Sequence, residues 1–324
     1  MEVRGIHVEA RGARAVPGLE RLLTEIAPLL GLNWVIAELD SHFDYTTHPE
    51  IAEPNPITRQ QAQRLARLAR DNGINLVPMY NCLGHQSWGQ RISALLRAHP
   101  KFNESPDVEM SADDFYCYSW CPSHPGVNPI IFELFDELLD AFQPRAFHVG
   151  MDEVFILGRC PRCRDSTPAE LFARAVNDYH EHLVQRRGVQ MQLWGDRLLP
   201  RRLGFSHWES SENGTEDAVD LVPKDMLICD WHYHLMEDYP SVQYLLDRGF
   251  LVATCGWKEP AAIRRLIEAT RRDAAPRLLG YLCTTWCGVT DFAAAFEGGP
   301  PNPAVSYLSD VINGVKLASA LIRD

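Results

Sequence analysis

The chain has 324 residues, of which 46% are hydrophobic, so it can bury a large core, and one domain spanning residues 1–324 is the simplest interpretation. Its 43 acidic and 31 basic residues give a formal net charge of −12, and no basic cluster could follow a phosphate backbone, which argues against nucleic acid as a partner. No apolar run approaches the ~18 to 20 residues of a membrane span, and the opening MEVRGIHVEARG lacks the features of a signal peptide. We therefore expect a cytoplasmic protein without membrane association.

Short β-rich segments alternate along the chain with longer segments of helical periodicity. The strand candidates are, in order, VRGIHVEA, NWVIAELD, INLVPMYN, AFHVGMDE, VQMQLWGD, MLICDWHY, FLVATCGW and LLGYLCTTW. The helix candidates between them include PGLERLLTEIAPLL, TRQQAQRLARLARDNG, PIIFELFDELLDAF and PAELFARAVNDYHEHLVQRRG. Eight such strands predict an α/β fold, a single (β/α)8 TIM barrel. A doubly wound open sheet is the alternative, but no Gly-rich phosphate loop follows the first strand.

Polar and aromatic residues follow the predicted strands, where a barrel of this type builds its active site. They are Glu9, Asp40, Asn81 with His85, His148 to Glu153, Trp194 with Asp196, Asp230 to His234, Trp257 and Trp286. Any one tryptophan could be core packing, and any one acid could be a helix N-cap. As a set they predict a pocket with aromatic walls and carboxylates at its base, which suits a pyranose ring with an apolar face and a rim of hydroxyls.

The segment FHVGMDEV, with the adjacent acids Asp152 and Glu153, resembles the His-x-Gly-x-Asp-Glu signature of the family 20 glycoside hydrolases, the β-N-acetylhexosaminidases. The segment that ends in LGHQ resembles the family's Pro-Gly-His motif, with Leu83 in place of the proline. VRGIHVEARG, LWGD and YLCTTWCG resemble the first, fifth and eighth strands of the family, so the resemblance extends from about Arg4 to Trp286.

This resemblance implies a retaining, exo-acting β-N-acetylhexosaminidase that needs no cofactor and acts on carbohydrates with a terminal N-acetylhexosamine. In this family the acetamido oxygen of the sugar attacks its own anomeric carbon, which gives an oxazolinium intermediate. By resemblance, Glu153 protonates the leaving oxygen and then activates water, and Asp152 orients the acetamido nitrogen. The neighbouring like charge is expected to keep Glu153 protonated. From the residues alone, an acidic pair that opens a helix is the alternative.

The same resemblance assigns further site residues. His85 corresponds to the histidine that holds the acid together with a second-strand aspartate, for which Asp40 is the nearest candidate. His148 matches the signature histidine and is either a substrate contact or a core residue. The aromatic box around the acetamido group and the platform under the sugar ring are assigned to Trp194, Trp231 and Trp286.

Three positions depart from the family pattern and leave the identity of the sugar open. The arginine expected after the first strand is Arg11, one position early. A Tyr-x-Asp pair expected near the seventh strand is absent, and Tyr233 or Trp257 is expected to substitute for it. Gly288 stands where the family has an acid after the eighth-strand tryptophan. We therefore predict a divergent member whose choice between GlcNAc and GalNAc is undetermined.

The cysteines and the alternative functions leave further questions open. Cys160 and Cys163 form a CxxC, and Cys117 with Cys121 could complete the four ligands of a structural zinc site, although a loop of reduced thiols and no metal is the simpler interpretation. The alternative functions are a carbohydrate-binding barrel without catalysis and a metal-dependent hydrolase or isomerase that uses His148 and Asp152. A homo-oligomer is also compatible with the sequence.

Overall fold

A closed barrel of eight parallel strands forms the centre of the computed structural model, which describes residues 1–88, 91–107 and 117–323. Each strand pairs with its neighbours in chain order, and β8 closes the barrel against β1. The bounds are β1 Val3–Glu9, β2 Trp34–Glu38, β3 Asn75–Cys82, β4 Ala146–Gly150, β5 Gln190–Trp194, β6 Leu227–Trp231, β7 Leu251–Gly256 and β8 Leu278–Cys283. All eight predicted strands are present, and the predicted (β/α)8 barrel is confirmed.

Helices surround the barrel, and capping boxes open two of them. Thr58 and Gln61 form a capping box at the start of α3, and Thr167 and Glu170 form another at the start of α6, so the first backbone N–H groups are paired. The bounds are α1 Val16–Arg21, α2 Ala27–Leu30, α3 Arg59–Asp71, α4 Ala94–Ala98, α5 Val127–Phe142, α6 Pro168–His180, α7 Pro240–Asp247, α8 Pro260–Arg272, α9 Val289–Phe296 and α10 Leu308–Arg323. π-helical turns at Leu22–Ile26 and Glu181–Arg186 follow α1 and α6.

Two apolar clusters give the fold its core. The larger one lies between the strands and the surrounding helices, and the smaller one fills the barrel interior around Met79 and Trp194. Long connections leave the carboxyl ends of three strands, at residues 83–126 between β3 and α5, 151–167 between β4 and α6, and 195–226 between β5 and β6. Described residues of all three connections contribute to a cavity at this end of the barrel. In the part of the chain that the structure describes, no helix has the length and apolar character required to cross a membrane.

Candidate active site

A cavity of about 440 Å³ opens at the carboxyl end of the barrel. Most of the predicted site residues line it, which brings together side chains that lie up to 275 positions apart in the sequence, from Arg11 to Trp286. The predicted residues at the cavity are Arg11, His85, Asp152, Glu153, Trp231, Tyr233, Trp257 and Trp286. The cavity is also lined by residues that the sequence analysis did not assign to substrate binding, among them Glu9, Trp88, Trp208, Glu209 and Tyr307.

The two adjacent acids reach the cavity because the backbone after β4 leaves the extended conformation. Gly150, Met151 and Glu153 have φ angles of 67°, 70° and 51°. Positive φ is unfavourable for residues with a side chain, so surrounding contacts must hold this conformation. Gly150 has no room for a larger residue either, since a Cβ atom there would lie 2.4 Å from Oδ1 of Asn81. The irregular backbone allows the neighbouring carboxylates of Asp152 and Glu153 to face one cavity.

Asp196 connects the acid-bearing loop to the aromatic wall. Its Oδ2 accepts a hydrogen bond from the backbone N–H of Glu153 at 2.9 Å and from Nε of Arg197 at 2.6 Å. Its Oδ1 accepts a hydrogen bond from Nε1 of Trp231 at 3.2 Å. Burial raises the pKa of Asp196, although the charge of Arg197 opposes this shift. The buried carboxylate therefore fixes the position of Glu153 relative to Trp231.

His85 lies between the two acids. Its Nε2 is 3.1 Å from Oδ2 of Asp152 and 3.4 Å from Oε2 of Glu153, and its Nδ1 is 3.2 Å from Sγ of Cys117. Burial alone would lower the pKa of His85, but the charge of Asp152 and the contact with Cys117 raise it well above its ordinary value. The contacts of its Nε2 with the two carboxylates therefore favour the protonated form of His85. Trp88 stacks on the imidazole at a ring distance of 5.2 Å.

The predicted pairing of Asp40 with His85 is wrong. The carboxylate of Asp40 accepts hydrogen bonds from the backbone N–H of Asn81 at 2.8 Å and from Nδ2 of Asn81 at 3.3 Å, and Asp40 does not line the cavity. The turn after β2, where Asp40 has a φ of 47°, directs the side chain along β3. The side chain at Nδ1 of His85 is the thiol of Cys117.

The predicted substrate contact of Trp194 is also wrong, and of the two roles predicted for His148 the structure shows the core residue. Both side chains are fully buried in the barrel interior, with ring centroids 4.5 Å apart. Nδ1 of His148 accepts a hydrogen bond from the backbone N–H of Gly150, and burial lowers the pKa of His148 well below its ordinary value. Both residues belong to the strands themselves, and their side chains point into the barrel interior. Trp194 packs 5.7 Å from the ring of Trp286 and so supports the floor of the cavity.

Aromatic side chains form one wall of the cavity. Trp231 stacks on Tyr233 at 4.9 Å, and Nε1 of Trp286 donates a hydrogen bond to the Tyr233 hydroxyl at 2.8 Å. Trp257 packs against Tyr233 at 5.4 Å and against Tyr307 at 5.3 Å. The Tyr307 hydroxyl donates to the backbone carbonyl of Trp286, which has a φ of 49°. These contacts fix the rings in place before any ligand binds.

Charged groups stand around the opening of the cavity. Nε of Arg11 donates to Oε2 of Glu9 at 2.8 Å, and both residues line the cavity. Oε1 of Glu209 lies 3.2 Å from Nδ1 of His232. The segment with Trp208 and Glu209 is held by the buried Arg197, whose guanidinium donates to the backbone carbonyls of residues 207, 208 and 210.

Sequence reasoning missed these contributors to different degrees. Glu9 stands at a strand end and carried a usable signal. Trp208 and Glu209 lie in the 195–226 connection, which has no strand or helical periodicity to place them. Ligand atoms of His85, Cys117 and Glu153 lie within 4.8 Å of one another, so these three side chains at the edge of the cavity could hold a metal ion.

Comparisons with known proteins agree on one family. A family model described as "Glycosyl hydrolase family 20, catalytic domain" matches residues 39–255. A β-hexosaminidase of Emericella nidulans is 23% identical over 250 residues, which cover 68% of this chain and 36% of that protein. Hexosaminidase D of Bos taurus is 23% identical over 210 residues, which cover 61% of this chain and 56% of that protein. The chain thus spans little more than a third to somewhat over half of these relatives.

Solved structures share the fold at low sequence identity. An exo-β-N-acetylglucosaminidase of family 20 from Vibrio harveyi superposes with a TM-score of 0.68 at 16% identity, and the match covers 98% of this chain and 54% of that one. Dispersin B superposes with a TM-score of 0.60 at 12% identity, and the match covers both chains completely.

Proposed function

Because the chain belongs to glycosyl hydrolase family 20, we propose that it is a retaining exo-β-N-acetylhexosaminidase that removes terminal 2-acetamido sugars by substrate assistance. The observation that carries this proposal is the position of Asp152 and Glu153, two adjacent carboxylates that both face one cavity of about 440 Å³ with aromatic walls. Adjacent acids suit this chemistry because one serves the acetamido group and the other serves the leaving oxygen of the same sugar.

Asp152 is proposed to orient the acetamido group. Its Oδ2 is paired with His85, whereas its Oδ1 is enclosed and has no hydrogen-bond partner among the described residues. An enclosed carboxylate oxygen without a partner is unfavourable, and the acetamido N–H of a bound sugar would supply one. As the acetamido oxygen attacks the anomeric carbon, positive charge develops on the oxazolinium ring, and the Asp152 anion stabilises that charge.

Glu153 is proposed to be the general acid and base. It protonates the glycosidic oxygen as the bond to the anomeric carbon breaks, and its carboxylate then takes a proton from the water that opens the oxazolinium ring. Water attacks the face that the leaving group vacated, so two inversions give net retention of the anomeric configuration. Nε2 of His85 lies 3.4 Å from Oε2 of Glu153, where a protonated imidazole stabilises the carboxylate after the first proton transfer.

The cavity walls are proposed to bind one terminal sugar. Trp286 offers the platform for the apolar face of the ring, and Trp231 with Tyr233 encloses the acetamido methyl group. Arg11 and Glu9 lie together at the cavity, where a guanidinium and a carboxylate can bind sugar hydroxyls as donor and acceptor. Arg11 and Glu9 are proposed to bind the sugar hydroxyls that, in the family pattern, are bound by residues this chain lacks, such as the acid at the position of Gly288.

Turnover of aryl glycosides tests the proposal directly. We expect the protein to cleave the para-nitrophenyl β-glycosides of GlcNAc, GalNAc or both, and to leave the corresponding glucoside and galactoside intact. Proton NMR of the first product should show the β-anomer, and a thiazoline mimic of the intermediate should inhibit competitively. Equal cleavage of sugars with and without the acetamido group would refute substrate assistance. Tight binding of the thiazoline without turnover would instead identify a carbohydrate-binding barrel that lacks catalysis.

Metal-dependent hydrolysis is the second candidate, favoured by the proximity of donor atoms from His85, Cys117 and Glu153. Under this alternative, a chelator abolishes activity, zinc restores it, and Cys117→Ala removes the response to zinc. If catalysis is substrate-assisted, chelator and zinc should affect the activity of Cys117→Ala and of the native protein equally. The contact of His85 with Asp152 does not depend on the Cys117 thiol.

A further inference from the structure

A second cluster of metal-binding side chains lies outside the cavity. The donor atoms of Glu104, Cys121, Cys160 and Cys163 all lie within 4.8 Å of one another, and the four residues are at most 4% exposed. Glu104 and Cys121 come from the β3–α5 connection, and the CxxC pair comes from the β4–α6 connection. Four buried ligand atoms from two loops therefore lie close together, and none of the four residues lines the cavity.

The arrangement of the sulfurs fits a tetrahedral ion. Sγ of Cys121 is 3.4 Å from Sγ of Cys160 and 3.5 Å from Sγ of Cys163. Zinc–sulfur bonds of ~2.3 Å in a tetrahedron place the sulfurs ~3.8 Å apart, so only small shifts are needed to bind an ion. The backbone N–H groups of Cys163 and Arg164 both donate to the carbonyl of Cys160, and this tight turn brings the two CxxC sulfurs to one side.

The surroundings of Glu104 independently favour a cation at this cluster. Its Oε1 accepts hydrogen bonds from the backbone N–H groups of Gly158 at 2.8 Å and Arg159 at 3.0 Å. Its Oε2 is buried next to the thiols and makes no hydrogen bond of normal geometry with the described residues, although the Cys160 thiol lies beside it. A buried carboxylate oxygen needs a donor or a positive charge, and neutral thiols are weak donors.

We propose that Glu104, Cys121, Cys160 and Cys163 bind one structural Zn²⁺ ion. Three thiolates favour zinc over the hard ions magnesium and calcium, and four protein ligands leave no open position for a substrate. Three thiolates and a carboxylate exceed the charge of the ion by two, and the exposed Arg159, Arg162 and Arg164 in the same loop offset this excess. A disulfide would use only two of the three thiols and leave Oε2 of Glu104 without a partner.

The ion would tie together the two loops that form the reactive part of the cavity. Cys117, four residues before Cys121, contacts His85, and Glu153 lies seven residues before Cys160. The proposed site therefore sets the distance between the loop of Cys117 and the loop of the two acids. This inference stands on its own geometry and holds whether or not the cavity cleaves 2-acetamido sugars.

Cobalt substitution of the reduced protein is the first test. We expect about one zinc per chain by elemental analysis after gel filtration, and, after exchange with Co²⁺, the intense visible bands of a tetrahedral ion with a sulfur-to-cobalt charge-transfer band in the near ultraviolet. Mass spectrometry after alkylation under denaturing conditions should find all nine cysteines as free thiols. Absence of both zinc and cobalt–thiolate bands, or a disulfide among Cys121, Cys160 and Cys163, would overturn the proposal.

Variants locate the ion and separate this site from the cavity. Cys163→Ala should abolish the cobalt–thiolate spectrum, and Glu104→Gln should weaken zinc binding more than ~10-fold in competition with a chelating dye. Cys283→Ala removes an equally buried thiol from β8 and should bind cobalt as the native protein does. Native affinity in Glu104→Gln would refute Glu104 as a ligand. A spectrum that disappears in Cys117→Ala but persists in Cys163→Ala would place the ion in the cavity and overturn the proposed site.

Discussion

Replacement of Asp196 by asparagine should reduce catalysis by displacing Glu153, although Asp196 itself does not line the cavity. The carboxylate accepts hydrogen bonds from the Glu153 backbone, from Trp231 and from Arg197. An amide of the same shape has one acceptor and one donor, so it cannot satisfy three donors that approach both oxygens. Whichever way the amide turns, its NH₂ group faces a donor.

The size of the expected loss follows from the hydrogen-bonding groups that Asp196→Asn leaves without partners. If the amide oxygen stays with Glu153 and Arg197, the buried indole N–H of Trp231 loses its acceptor, which costs ~1–3 kcal/mol. Arg197 also loses its buried counter-charge, for which ~3–5 kcal/mol is typical. A shift of ~1 Å in a positioned catalytic group typically costs ~10²-fold in rate. We therefore expect kcat to fall ~10- to 100-fold, with a smaller change in KM.

The matched control is Glu137→Gln. Glu137 is also a buried carboxylate, and it accepts five hydrogen bonds from Thr46 and Thr47. None of these three residues lines the cavity. Both variants should lose stability in thermal unfolding, but only Asp196→Asn should lose kcat in a para-nitrophenyl glycoside assay below the onset of unfolding. Equal kcat values in the two variants would show that Asp196 serves stability alone.

Three further outcomes are expected. Glu153→Gln should lose ~10²- to 10⁴-fold in kcat on natural glycosides but much less on aryl glycosides with good leaving groups, and equal losses would argue against a general acid. Asp152→Asn should lower kcat far more than ground-state binding and should weaken the thiazoline more than the product sugar in inhibition assays. Although burial opposes protonation, Asp230 and Glu209 raise the pKa of His232 to about 9. The protonated His232 should therefore contribute fully to stability below pH ~6.5, and this contribution should be lost as the pH rises toward 9. Thermal unfolding measured across this pH range checks the expectation, and the midpoint temperature should depend less on pH in His232→Gln.

The barrel could be predicted because its local signals agree with the fold. Alternating β-rich and helical segments specify the strands without knowledge of tertiary contacts. Arg11, Glu153 and Trp286 follow strand ends, and Trp231 is the last residue of β6. Where a strand stops is less clear from sequence. Trp194 was interpreted as a binding residue because it stands at a strand end, but its side chain is buried in the barrel interior, whereas Trp231 at the end of the next strand lines the cavity.

Contacts between loops could not be predicted, since they depend on the paths of several long connections. Cys117 rather than Asp40 meets Nδ1 of His85 because the β3–α5 connection returns across the barrel end. Glu104 and Cys121 lie next to Cys160 for the same reason. No sequence motif indicates this contact, because Cys160 and Cys163 form the only CxxC in the sequence. The sequence contains the ligands, but their spacing is set by the fold.

The geometry of the two acids is therefore a property of the loops rather than of the barrel. The strand ladder places the chain only as far as Gly150, and the left-handed residues that follow are unfavourable without support. That support comes from other connections: Asp196 holds the N–H of Glu153, and Asn213 donates to the backbone carbonyls of residues 154 and 155. Glu104 holds the N–H groups of residues 158 and 159. Because three polar side chains outside this loop fix its course, substitutions at them can disturb catalysis without touching the sugar.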